Sequence, residues 1–132
     1  MIARLALAAL TFSGAATAQP LTVKMGEHWA FRIQNGEPAK AHKLDWAAKP
    51  AKGEIGVTLS PMAGTTMTLT NNSGAGYTYR ADLVGTEKPA GRTCMLPATN
   101  QPVLEYWPRK ATGVRLSGFK VTTDAGACPQ NK

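Results

Sequence analysis

Two cysteines, two histidines and five methionines are the residues of this 132-residue chain that could hold a metal ion or trade electrons. Cys94 and Cys128 lie far apart and lack the Cys-x-x-Cys spacing of redox motifs. His28 and His42 have no partner at the spacing of a zinc site. Met25, Met62, Met67 and Met95 offer soft sulfur of the kind that suits Cu(I), with Met25 and His28 the closest pair, but no Met-x-x-Met cluster exists. Metal binding is therefore a minor reading, and no cofactor is expected.

Nucleophile motifs are also missing. The chain has neither a Gly-x-Ser-x-Gly elbow nor Ser-x-x-Lys, and Ser60 and Ser73 fall at a strand end and in a turn. Its eight acids are scattered, without the pairing that glycoside cleavage uses. Glu105 is the most unusual of them, set between Leu104 and Tyr106 in an aromatic strand, and it reads as a solvent-facing residue. His28, beside Arg32 on the polar face of a strand, reads as solvent-facing too. With no catalytic set, the chain is not expected to be an enzyme.

What remains is surface. Lys40, His42, Lys43, Lys49 and Lys52 surround Trp46, with Asp45 the only acid inside that stretch. Basic charge around an aromatic ring can grip anionic polymers or sugars. A second candidate patch is Tyr106, Trp107, Arg109, Lys110 and Arg115, with Tyr77, Tyr79 and Arg80 beside it if their strands are neighbours. The plainer account of both is core aromatics with solvated lysines.

The N-terminus has the three-part layout of a secretory leader. Arg4 is the only charge before Lys24, Leu5 to Phe12 is apolar, and Ala16-Thr17-Ala18 puts small residues where a signal peptidase reads them. The expected cut after Ala18 leaves one domain, 19–132, whose formal charge falls from +7 to +6 with the loss of Arg4. The apolar run is far shorter than the about 20 residues of a spanning helix. No paired arginines precede it, and no cysteine near the cut could carry a lipid. Nothing after Gln19 is apolar enough to span a bilayer. The expected location is periplasmic or secreted, where nucleic acid is a poor partner and an anionic polysaccharide or an envelope protein is a better one. In an oxidising compartment Cys94 and Cys128 are expected to form a disulfide, worth about 3–4 kcal/mol in the chain-entropy model.

The elements that must position these groups are strands. Apolar residues alternate through Leu21, Val23 and Met25, then through Trp29, Phe31 and Ile33, with His28, Ala30 and Arg32 on the other face. Asn35-Gly36 is a strong hairpin signal, with a return arm from Glu37 to about Leu44. Asp45 to Lys52 is ambiguous: Trp46, Ala47 and Ala48 could make one helical turn, ended by Pro50. Ile55, Val57 and Leu59 alternate, as do Met67 and Leu69, and then Tyr77, Tyr79, Ala81 and Leu83. Thr65 to Val84, interrupted by Asn71-Asn72-Ser73-Gly74, reads as a strand hairpin. Short strands follow around Cys94 and over Val103 to Trp107. In the last, Val114 and Leu116 change phase to Phe119 and Val121 across Gly118, which predicts a β-bulge. About eight or nine short strands without a long helix imply an all-β antiparallel sandwich or small barrel with one disulfide.

The segments Asn71-Asn72-Ser73-Gly74 with Tyr77-x-Tyr79-Arg80-Ala81, Glu105-Tyr106-Trp107-Pro108 and Gly26-Glu27-x-Trp29-x-Phe31-Arg32 resemble a group of small exported bacterial β proteins of uncharacterised function. That resemblance implies an exported β domain and no activity. Ser73-Gly74-Ala75-Gly76-Tyr77 is similar to a short piece of the periplasmic C-type lysozyme inhibitors, without that family's downstream pattern. The expected function is a non-enzymatic binding or structural domain of the cell envelope, with a hydrolase inhibitor as the alternative.

Overall fold

A computed structural model describes residues 17–87 and 91–123, with the backbone alone at 92 and 93. Nine strands are present among the described residues: β1 (Leu21–Lys24), β2 (His28–Gln34), β3 (Glu37–Lys43), β4 (Ile55–Ser60), β5 (Thr65–Asn71), β6 (Tyr77–Val84), β7 (Gly91–Leu96), β8 (Val103–Trp107) and β9 (Gly113–Val121). They form two antiparallel sheets, one of four strands in the order β1-β9-β6-β7 and one of five in the order β3-β2-β4-β5-β8. The all-β architecture and the strand number match the alternation in the sequence. Among the described residues no helix is long and apolar enough to cross a membrane.

Period two accounts for the core. Val57 faces Leu69 and Leu59 faces Met67 across β4 and β5, all of them buried. The four-stranded sheet contributes Val23, Tyr79, Ala81, Leu96, Val114 and Leu116 to the same cluster. Phe119 joins the two sheets. Its ring stacks on Tyr79 at 5.3 Å and meets Phe31 and Tyr77 edge-on at 5.7 and 5.9 Å. Full burial of such side chains stabilises by about 1.5–3 kcal/mol each.

Two predicted turns fasten the sheets together. Asn35 and Gly36 both have positive φ, 51° and 77°, and Gln34 faces Glu37, as a two-residue primed hairpin requires. Gly118 has φ 62°, and the β6–β9 register slips between Thr78 and Arg80, so the expected bulge is present. The bulge meets the hairpin tip: the Phe119 amide donates to the Gly36 carbonyl at 2.7 Å, and the Gly118 amide to the Glu37 carboxylate at 3.3 Å. The Gln19 amide, just before β1, donates to Pro38 on the edge strand β3 at 3.0 Å.

Several expectations are corrected. Thr65 to Val84 is not a hairpin, because β5 and β6 belong to different sheets. The cause is Asn71, which is buried. Its amide donates to the carbonyls of Ala75 (2.7 Å) and Pro97 (3.2 Å), and its oxygen accepts from the Ser73 amide (3.0 Å) and hydroxyl (2.6 Å). The chain is thereby led out of one sheet into the other. Glu105 is buried rather than solvent-facing, and so is Ala30. Trp46 and Ala47 form an isolated turn, not a helix. Cys94 is buried on β7, whereas Cys128 and residues 1–16 of the expected leader lie outside the described residues.

Candidate interaction surface

Both β3 and β4 run antiparallel to β2 and flank it, so the chain between Lys43 and Ile55 must cross β2. It crosses on the face turned away from the core. Gly56 sits beneath: a Cβ there would meet the Pro50 ring at 3.1 Å, so any side chain would push the crossover outward by a few tenths of an ångström. This crossover buries Ala30 and Pro50. His28, expected in solvent, is half-buried on the same face, and its Nδ1 is buried without a hydrogen-bond partner among the described residues.

Hydrogen bonds pin both ends of the crossover. At the start, the Leu44 amide donates to the His28 carbonyl at 2.8 Å. At the end, the Gly53 amide donates to the Asn72 carbonyl (2.8 Å), and the Asn72 side-chain amide to the Pro50 carbonyl (3.1 Å). Glu54 is the buried anchor. Its Oε1 accepts from the Ala51 amide at 2.9 Å, and its Oε2 lies 2.8 Å from His42 Nε2. Burial pushes the Glu54 carboxyl up, but hydrogen bonds from His42 and Ala51, with the charges of His42 and Arg32, outweigh it and the net direction is down.

A second carboxylate braces the start. Glu27 accepts from the Trp29 indole N–H (2.9 Å) and the Lys24 amide (2.8 Å), and it pairs with Lys43 Nζ at 3.1 Å. These hydrogen bonds, the indole first, hold its pKa down at about 2 against partial desolvation. The Lys43 ammonium also lies 5.7 Å from the centre of the Trp29 ring, in the range of a cation–π contact.

On this frame Trp46 is 82% exposed. Lys40, Lys49 and Lys52 are exposed on the crossover and on the strand it leaves, and among the described residues their ammonium groups make no ion pair. Lys40 holds φ 53°, the left-handed region, at the point where β3 slips register against β2. Of the first predicted patch, then, Trp46, Lys40, Lys49 and Lys52 offer free groups, while His42 and Lys43 serve the frame. The anchors Glu27 and Glu54 were missed. The only sequence signal was the three-residue spacing from Lys24 and from Ala51, which lets a carboxylate cap its own turn.

The second predicted patch does not assemble. Trp107 is 3% exposed and belongs to the core. Tyr79 is core as well, and Tyr77 packs on Phe119. Tyr106 is half-exposed on β8, and Arg109 and Lys110 follow that strand, but Arg80 and Arg115 lie in the other sheet. Arg80 there pairs with Asp82 at 2.9 Å. The Ser73–Tyr77 segment is engaged internally: the Ser73 hydroxyl bonds Asn71 and Ala75, and the Tyr77 ring meets Phe119. Among the described residues no three His, Cys, Asp or Glu side chains are grouped to hold a metal ion.

Comparison with known proteins finds no relative: no family model matches, and no curated protein and no solved structure matches significantly.

Proposed function

We propose that the chain is an exported, non-enzymatic binding domain of the cell envelope, and that it grips an anionic polysaccharide with the crossover 44–53 and the β3 edge beneath it. One observation carries the reading: Trp46, 82% exposed, stands on a segment pinned at both ends, near Lys40, Lys49 and Lys52, which make no ion pair among the described residues. An indole held in water on a fixed frame forfeits the gain from its own burial, and a ligand that covers it recovers that gain without ordering a loop. The sugar rings offer a flat face to the indole, and their carboxylates a charge to the lysines. The leader supports export. The two sheets sharing one core, with no strand pairing between β7 and β8 among the described residues, favour a sandwich over a closed barrel. Burial of Cys94 suits the bridge to Cys128.

The test is calorimetric titration of the mature protein with polygalacturonate, with polyglutamate as a polyanion without sugar. Polygalacturonate is expected to bind at physiological salt, with Trp46→Ala weakening it about tenfold. Equal affinity for polyglutamate, indifferent to Trp46→Ala, would reduce the interaction to charge and sink the reading, as would no binding.

A further inference from the structure

We propose that the outer face of β4, β5 and β8 is a second part of the binding surface, and that it takes uncharged sugar units of the same polymer whose acidic units lie against Trp46 and its lysines. The proposal rests on the polysaccharide reading and adds to it a class of polymer, one that carries acidic and neutral units in a single chain.

The strand registers lay this face out in rows. His28 faces Thr58, Thr58 faces Thr68, and Thr68 faces Leu104, so one row runs from β2 to β8 across three strand spacings, about 14 Å. Ser60, Thr66 and Tyr106 make the row on one side of it. On its other side Ala30 and Gly56 lie under the crossover. The crossover therefore forms a wall on the β2 side of the face. Leu104, 59% exposed, and Tyr106, 46% exposed, form the opposite rim on β8.

An antiparallel sheet commonly turns one face to water, and the two sheets here do so differently. Charges mark the outward rows of the four-stranded sheet: Thr22 faces Arg115, Arg115 faces Asp82, and Lys120 faces Thr78. On β4, β5 and β8 no outward position holds Lys, Arg, Asp or Glu, in a chain of net charge +7. Hydroxyls and apolar groups stand there instead. Among the described residues the Thr58 and Thr68 hydroxyls make no hydrogen bond, and at the crossover end of their row the buried His28 Nδ1 has no partner. The neighbouring row is held in place, because the Tyr106 hydroxyl donates to the Ala63 carbonyl at 2.7 Å and the Thr66 hydroxyl to the Met62 carbonyl at 3.2 Å.

The ligand class follows from this chemistry. A sugar ring has an apolar C–H face and a rim of hydroxyls. Threonine offers a methyl and a hydroxyl at each position, and the tyrosine ring offers a flat apolar face. A carboxylate brought onto these strands would shed water and meet no counter-charge, whereas Lys40, Lys49 and Lys52 supply one at the crossover. Acidic units are thereby sorted to the crossover and neutral units to the strands. The floor is paired strand, so binding orders no loop.

The experiment is calorimetric titration of the mature protein with hyaluronan, in which uronate alternates with neutral N-acetylglucosamine, and with polygalacturonate, in which every unit is acidic. Hyaluronan is expected to bind the wild type more tightly. Thr58→Val combined with Thr68→Val exchanges two hydroxyls for methyls at positions that suit β-branched residues. This double variant is expected to weaken hyaluronan about tenfold, to leave polygalacturonate unchanged and to keep the melting curve. Thr68→Ala, as a second variant, is expected to weaken hyaluronan about threefold. If Trp46→Ala weakens both polymers while the threonine variants weaken neither, the proposal is overturned and the polysaccharide reading stands. Equal weakening of both polymers by the threonine variants also overturns it, as does tighter binding of polygalacturonate by the wild type. Binding of neither polymer overturns the polysaccharide reading and the proposal with it.

Discussion

The two edges of the five-stranded sheet, β3 and β8, are built on opposite terms. β3 is seven residues long and irregular. It slips register at Lys40, it takes the Gln19 amide on Pro38, and its hairpin tip accepts the Phe119 amide from the other sheet. The crossover with Trp46 also leaves from it. β8 is five residues long and regular, and it turns Leu104 and Tyr106 outward. Polar groups near β3 fasten the two sheets to each other, whereas β8 pairs with β5 alone among the described residues. Stability should accordingly depend more on the β3 side than on the β8 side.

The largest effect expected from this contrast is at Phe119, where three aromatic rings from both sheets converge on the fastened side. Phe119→Ala should destabilise by about 3–5 kcal/mol, read as a lower urea midpoint at unchanged slope. Leu104→Ala on β8 should change stability by less than about 0.5 kcal/mol. Comparable losses at the two positions would break the contrast.

How much of this was legible in the sequence depends on whether the deciding contact was local. Asn35-Gly36 and Gly118 announce themselves, because a hairpin and a bulge each require positive φ at a known offset. Trp46 and its lysines were likewise visible as composition. The crossover was not, since only the sheet order makes the chain step over β2. Asn71-Asn72-Ser73-Gly74 misled for the same reason: turn chemistry reports a change of direction, and the carbonyl of Pro97, twenty-six positions away from Asn71, decides which sheet receives the chain. In β8 the hydrophobic signal is inverted. An acid, Glu105, points inward between Val103 and Trp107 while Leu104 points out, so polarity alone could not assign its faces.

A smaller effect is expected from acid. Glu27 has its pKa lowered from 4.5 to about 2, so its stabilisation is fully present above pH 4.5 and is lost as the pH falls toward 2. With the carboxylate partly open to water, the contribution is about 1–2 kcal/mol. Glu54, also lowered, acts in the same direction at the far end of the crossover. Glu27→Gln should therefore cost that amount at pH 7 and almost nothing near pH 2. A cost that persists in acid would mean that Glu27 acts through packing and not through charge.

The smallest effect separates two of the left-handed positions on the fastened side, Gly118 and Lys40. Gly118 (φ 62°) would place a Cβ with no atom within 4 Å, so Gly118→Ala carries a backbone penalty alone, about 1 kcal/mol. Lys40 (φ 53°) already bears that penalty, and Lys40→Gly should recover part of it, less than about 1 kcal/mol. Thermal unfolding of the two variants should move in opposite directions. If Gly118→Ala proves neutral, the bulge relaxes without loosening the Phe119–Gly36 bond, and the fastening must reside in the aromatic cluster alone. If Lys40→Gly destabilises, the lysine stem contributes packing on β3 that outweighs the relief of strain. Either result would relocate the stability of the fastened side without touching β8.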